Sequence, residues 1–435
     1  MLEKNNKRLV NAWASFDWSN SVYNLIITTA IFPIYYLSVT ESSFGGETIE
    51  FFGLPMVNSV LYSYAISFSF LLIVFLAPVL SGIADFSGRK KRFMQFFTYL
   101  GSVSCIGLYF FTGENVEFGI LCTILASVGF AGSLVFYNAF LPEVATENKM
   151  DRVSARGFAM GYTGSVILLI ANLVLYMKAE MFGFKDGGAA TRFGFILVGL
   201  WWMGFAQIAF YYLEDRPTGK KITFDILGNG VRKLKDVFSV VRRKTAMLRF
   251  LISFFIYSMG VQTVMLLAPL FGDKEVGMTA NEMIIVVLIL QIVAIAGAYF
   301  FALISKFRGN GFAISATLII WIFICVAGYF LKDKMSFYGL AGLLGFVMGG
   351  VQSISRSTWS KLIPEGTINT ASFFSFYDVT EKLAIVIGTF SYGLIDQITG
   401  SMRNSMVFMA LFFIVGFAIL QFARLKKSLN PATGN

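Results

Sequence analysis

The chain contains no histidine. That absence removes an imidazole metal site, a histidine proton relay and a serine–histidine hydrolase together, because each needs the ring. Cysteine is nearly as scarce: Cys105, Cys122 and Cys325 are the three in 435 residues, and all fall inside apolar runs. They show neither a metal-binding spacing nor a disulfide framework, so they read as small packing residues. Charge is thin too. Asp, Glu, Lys and Arg make up 14% of the chain, against about 25% in soluble domains. An ordinary soluble enzyme is thereby excluded, and no motif calls for a cofactor.

Apolar residues take up the difference. They form 56% of the chain and are packaged as twelve runs, beginning with 10–38 and 56–83 and ending with 371–395 and 404–424. Runs of roughly 18 or more apolar residues match a spanning helix, and the ~10-residue alternation of a membrane barrel is missing. The sequence therefore predicts an all-α polytopic membrane protein with twelve transmembrane helices. Residues 1–10 are basic but lead straight into a full-length span, so no cleavable signal is expected.

Basic residues orient the spans. With a cytoplasmic N-terminus, 26 of the 35 Lys and Arg fall on that side, seven on the other, and Arg356 and Lys382 inside spans. The positive-inside rule then puts both termini in the cytoplasm. The net charge of +10 serves topology and contact with anionic membrane lipid, so no nucleic-acid partner is expected.

The chain repeats itself once. Leu141-Pro-Glu143 and Ile363-Pro-Glu365 lie 222 residues apart, and Ser305-Lys-Phe-Arg-Gly309 faintly copies the Asp85 loop 220 residues on. Two agreeing offsets predict two six-helix pseudo-repeats, 1–214 and 246–435, joined by a basic linker at 215–245. In that linker Ile226, Val231, Leu234, Phe238 and Val241 recur at helical spacing among cations. An amphipathic helix on the cytoplasmic membrane surface is expected there.

Polar residues inside the spans mark the pathway. Asp17, Ser21, Asn24 and Thr28 share one face of the first helix, with Asn20 beside them. An aspartate within a bilayer costs about 2.5–3.5 kcal/mol on insertion scales, so this stripe must face water or other helices. Asp17 lies only ~8–10 Å into its span at 1.5 Å per residue, which suits gating or coupling. Asn24 and Thr28 reach further, toward a solute. Tyr137 and Asn138 in the fourth span, Tyr257 and Gln262 in the seventh, and Gln352 and Arg356 in the tenth are further pathway candidates. The Arg356 guanidinium suits a carboxylate solute or Asp17 as partner. In the eleventh span Asp378 and Lys382 are four apart and can pair, with Glu381 directed elsewhere on the helix. Gly157 and Gly161 form a small-xxx-small pair for close helix approach.

Asp85, standing three residues before Gly88-Arg89 at a tight turn, is similar to the loop motif of the major facilitator superfamily. Ser81 stands where that family usually has glycine. The resemblance implies that Asp85 and Arg89 latch the cytoplasmic face. Asn11-Ala-Trp-Ala-Ser-Phe-Asp-Trp-Ser-Asn-Ser21, with the Asp85 loop, Pro142-Glu143, Arg156-Gly157 and Phe373–Lys382, resembles the vacuolar-effluxer-like branch of that superfamily over essentially the whole chain. This implies the superfamily fold, a bacterial inner-membrane member, and efflux of amino acids by analogy with fungal relatives.

Two function classes follow. The first is a secondary transporter, working by alternating access as a monomer on a small polar solute such as an amino acid, with Asp17 and then Glu381 as proton-coupling candidates. The second is a membrane sensor or assembly protein that keeps the fold without transport. A different cargo, such as a sugar, peptide or lipid-like solute, also fits the first class.

Overall fold

A computed structural model describes residues 2–219, 226–423 and 425, apart from the side chains of 226–231 and 280. The first span is built in pieces. Asn6 caps α1 (Lys7–Val22) by accepting the Arg8 N–H at 2.9 Å. The helix then widens into a π-helical segment, Tyr23–Ala30, and bends by 43° into α2 (Phe32–Phe44). Pro33 sits in the first turn of α2. It cannot donate to the preceding turn, and its ring crowds the carbonyl there, so the break falls beside it. The reading of 10–38 as one regular helix missed this, although Pro33 was the signal.

A hairpin of β1 (Thr48–Phe51) and β2 (Leu54–Val57) follows. The next spans are α3 (Asn58–Ser87), α4 (Lys90–Gly107), α5 (Val116–Asn138), the short α6 (Leu141–Val144), α7 (Glu147–Met177) and α8 (Gly187–Tyr212). After the linker helix α9 (Ile226–Arg243) come α10 (Thr245–Val276), α11 (Ala280–Arg308), α12 (Asn310–Phe330), α13 (Lys334–Leu362), α14 (Thr370–Thr399) and α15 (Met402–Phe422). Among the described residues ten helices are long and apolar enough to span, and the bent first pair makes eleven. The twelfth is α14. Its 30 residues reach roughly 45 Å at 1.5 Å per residue, but Asp378, Glu381, Lys382 and Asp396 lower its apolarity.

Glycine sets the closest helix approaches. A Cβ on Gly161 of α7 would collide with Ser21 Oγ, and one on Gly164 would stand 2.7 Å from the Trp18 carbonyl oxygen. The spacing of Gly157 and Gly161 thus lays α7 against α1.

The end of the bundle that carries the start of α1 and the loops around Arg89 and Arg152 is called the basic end below. There, residues 213–218 strap across the α3–α4 turn. The Arg216 N–H donates to the Gly88 carbonyl at 2.9 Å, and Asp215 Oδ1 accepts the Lys91 N–H at 2.6 Å at the start of α4. Burial, the largest influence on Asp215, pushes its carboxyl above the usual range, while the Lys91 N–H pulls it down. Gly88 has φ +68°, and a Cβ there would run into the Arg216 backbone. Gly88→Ala is expected to cost about 1–3 kcal/mol and to loosen the strap, read as faster hydrogen exchange over 213–219.

In the linker helix Val237 and Val241 are buried, and the half-exposed Phe238 stacks on Phe376 at 6.1 Å, so α9 lays part of its apolar side on α3, α10 and α14. Burying that face on protein satisfies the same hydrophobic demand. The side chains of Ile226 and Val231, together with Lys220, Lys221, Arg424, Lys426 and Lys427, lie outside the described residues.

A candidate solute cavity and its gate

The more deeply buried of two ion pairs joining the two six-helix repeats is that of Asp17 with Arg356. Asp17 of α1 is 4% exposed and Arg356 of α13 is 3% exposed. Arg356 Nη1 stands 3.0 Å from Asp17 Oδ2, which also accepts the Tyr137 hydroxyl at 2.8 Å. The remaining guanidinium donors are used as well: Nε donates to Ser154 Oγ at 2.9 Å and Nη2 to the Ser154 carbonyl at 2.8 Å. Its flat faces meet Phe158 at 4.1 Å and Trp13 at 4.9 Å. A buried pair holds only when its other donors and lone pairs are met, and here nearly all are. Gly157 provides the room, since a Cβ there would collide with Asp17 Oδ2 and stand 2.8 Å from Arg356 Nη2. Trp13 locks Tyr137 from below, stacked at 4.6 Å with its indole N–H donating to the Tyr137 carbonyl at 3.1 Å.

Above this pair lies a cavity of about 210 Å³ between the repeats. Asn20, Ser21, Asn24 and Thr28 line one wall and Gln352 another, with Tyr257 and Gln262 from α10 and Asp378, Glu381 and Lys382 from α14. Asn138 and Arg356 reach its floor. The polar stripe of the first helix keeps facing the cavity through the π-helical turn, with Asn24 exposed toward it. Tyr137 is the exception among the pathway candidates. It is fully buried behind Asp17 and does not line the cavity. Tyr162, Gln291 and Tyr377 line it and were not singled out from the sequence. Tyr162 donates its hydroxyl to Gln352 Oε1 at 2.7 Å.

The expected Asp378–Lys382 pairing is not formed. Lys382 Nζ stands 3.5 Å from Glu381 Oε2, and Glu381 Oε1 accepts the Gln262 amide at 3.0 Å. Asp378 Oδ2 is buried with no protein partner among the described residues, as are Asn20 Nδ2 and Gln291 Oε1.

At the basic end two carboxylates cross between the repeats. Asp85, at the end of α3, accepts the backbone N–H groups of Ala371 at 3.1 Å and Ser372 at 2.7 Å. These are orphan donors of the α14 N-terminus, where a negative charge is favoured. The resemblance implied a carboxylate–arginine latch, but none of Asp85's hydrogen bonds comes from Arg89; the helix terminus takes that place. Lys90 holds Glu143 and donates to Thr370 Oγ1 at 2.9 Å. On the other side Asp151, at the start of α7, accepts from Ser305 Oγ and Asn310 Nδ2 at 2.8 Å each and from Lys361 Nζ at 2.6 Å. The 220-residue offset maps the contact of Asp85 with Ala371 onto that of Ser305 with Asp151. The carboxylate has changed sides of the contact, which is why the loop at Ser305 is only a faint copy.

Among the described residues, the side-chain hydrogen bonds and ion pairs joining the first six helices to the last six, from Asp85 to Tyr162–Gln352, lie between the basic end and mid-depth. Ties at the opposite end stay within one repeat, as in Lys334–Glu282 at 2.8 Å and Arg403–Glu275 at 2.7 Å. The polar ties between the repeats thus gather toward one end of the bundle, whereas Val287 of α11 joins the first repeat's core by apolar packing.

Comparisons with known proteins agree with this architecture. The family described as "Vacuole effluxer Atg22 like" matches residues 5–433. An uncharacterized MFS-type transporter, YxiO, of Bacillus subtilis (strain 168) is 31% identical over 415 residues, 95% of this chain and 94% of the relative. Autophagy-related protein 22 of Yarrowia lipolytica is 24% identical, covering 88% of this chain and 79% of its own. Among solved structures, the Major Facilitator Superfamily transporter FucP in the outward conformation superposes with a TM-score of 0.70 at 13% identity, over 95% of this chain and 98% of its own. The human organic anion transporter MFSD10 gives 0.71 at 13% identity, over 96% of this chain and all of its own; both likenesses concern the fold. By the match over nearly its full length, the chain belongs to the Vacuole effluxer Atg22-like family, a branch of the MFS-type transporters.

Proposed function

We propose that the protein is a secondary transporter that moves a small polar solute by alternating access, in the efflux or exchange direction. The observation that carries this is the cavity between two repeats whose polar ties, among the described residues, lie toward the basic end. Such an arrangement leaves the opposite end able to part while the basic end is latched, and the reverse state requires Asp17–Arg356 and the Asp85 and Asp151 contacts to break. Asp17 and Arg356 are then the inner gate, with Asp85, Lys90 and Asp151 the outer layer of the latch. The cavity of about 210 Å³ is below the roughly 300–1,000 Å³ of drug-sized pockets, which supports a small metabolite. Amide and hydroxyl side chains share its wall with aromatic and aliphatic ones, with charges at two poles, a chemistry suited to an amino acid. The family description supports efflux. The basic end is the cytoplasmic face of a plasma membrane on the positive-inside argument, segments 1–214 and 246–435 move as units, and a single chain encloses the whole pathway.

The test is counterflow in proteoliposomes preloaded with a mixture of the common amino acids. Exchange of labelled amino acids that is lost in Gln352→Ala is expected. Absence of exchange under every imposed ion gradient, with the protein folded, contradicts the amino-acid reading.

A further inference from the structure

We propose that Asp378 is the group that binds and releases a proton as the cavity changes the end to which it opens. The proposal rests on the transport reading above and names its coupling group. Five charged side chains line the cavity: Asp17, Arg356, Asp378, Glu381 and Lys382. Asp17 is matched by Arg356 at 3.0 Å. Glu381 is matched by Lys382 at 3.5 Å and also accepts from Gln262. Asp378 is left over: it is 4% exposed, and its Oδ2 meets no protein donor among the described residues.

Every other titratable group facing the cavity leaves this imbalance standing. Tyr23 of the π-helical segment, Tyr162 of α7, Tyr257 of α10 and Tyr377 of α14 are phenols, neutral near pH 7. Glu381, three residues on, adds a second negative charge, and Lys382, four on, is already engaged. Arg356 of α13 is turned toward Asp17 and Ser154. From α3 the nearest side chain is Phe70, whose ring lies under Lys382 at 5.5 Å.

An ionised carboxylate in this position is tolerable while one end of the cavity is open to water. Once both ends close, hydration is lost and the charged form is strongly disfavoured. A proton neutralises the surplus on the return step, after the solute has left at the opposite end, so proton and solute move in opposite directions. It is taken from water at the open opposite end, retained through the closed form, and released toward the basic end. Asp17 carries no such surplus, because Arg356 and Tyr137 both donate to its Oδ2.

The test uses the full chain with Cys105, Cys122 and Cys325 changed to alanine and a single Asn24→Cys reporter in sealed vesicles. A membrane-impermeant maleimide is applied from either face at acid and at alkaline pH. The ratio of labelling from the two faces is expected to change about tenfold per pH unit around one midpoint. Asp378→Asn should abolish that pH dependence while labelling persists from both faces, and Asp17→Asn should keep it. Unchanged pH dependence in Asp378→Asn overturns the proposal. Labelling from one face only, at every pH, removes the transport reading itself and this proposal with it. Should Asp378→Asn fail to fold, Asp378→Glu serves: a displaced midpoint supports the assignment and an unmoved one overturns it.

Discussion

Arg356→Ala is expected to destabilise the protein by about 3–5 kcal/mol, the cost of leaving a buried charge without its partner. Asp17 then keeps only the Tyr137 hydroxyl, in a site closed off by Trp13, Phe16 and Phe158. Unfolding in mixed micelles measures this directly. Neutralising both partners, in Asp17→Asn with Arg356→Met, should recover much of the loss, because the penalty comes from the stranded charge and not from the missing attraction. The stability recovered should not bring back exchange, since the double variant has no charge pair to reform. A double variant as unstable as Arg356→Ala would show that packing around Trp13 and Phe158, and not electrostatics, carries the effect.

The second large effect is expected at Asp151. One carboxylate there joins α7 to three elements of the other repeat, through Ser305, Asn310 and Lys361. Asp151→Ala leaves the Lys361 ammonium, 8% exposed by side chain, without a counter-charge, and about 3–5 kcal/mol is again expected. Asp151→Asn retains acceptor capacity for Ser305 but drops the charge, so its loss should be about half as large. The functional signature differs from that of Arg356. Because Asp151 lies outside the cavity, its variants should raise accessibility from the basic end while leaving solute affinity close to wild type. Measured exchange at low and saturating solute separates the two cases.

Much of the fold was legible because the membrane permits few solutions. Apolar length marked the spans, and a repeated offset divided them into two sets of six. The bend at Ile31 was not read, since one proline near a run's end barely alters its hydropathy. The packing of Val237 and Val241 of α9 on the helices beside it was not read for a related reason: periodicity says that a stripe is apolar but not what covers it. At the site, intramembrane charge was the strongest guide. Asp17 and Arg356 stood out as costly residues, and each proves to be the other's partner. Finer pairing was not legible, because the reach of Lys382 to Glu381 instead of Asp378 depends on how α14 faces α10 and Gln262. Asp151 was passed over because it lies among cations at a helix start, where a surface carboxylate is ordinary. Only its distance from Ala371, equal to the offset between Asp85 and Ser305, could have singled it out.

Alternating access requires that one end of the bundle be latched while the other can part, and that the two exchange roles. Paired spin labels test it most directly. One pair replaces Arg152 and Arg308, exposed at the basic end on α7 and α11, and the other replaces Lys178 and Lys274 at the opposite end. In the parent protein the basic-end pair should give one narrow distance distribution. On introducing Arg356→Ala, a longer distance should appear at the basic end while a shorter one appears at the opposite end, in matching proportion. Basic-end widening with an unchanged opposite end, or widening of both ends together, would contradict alternation.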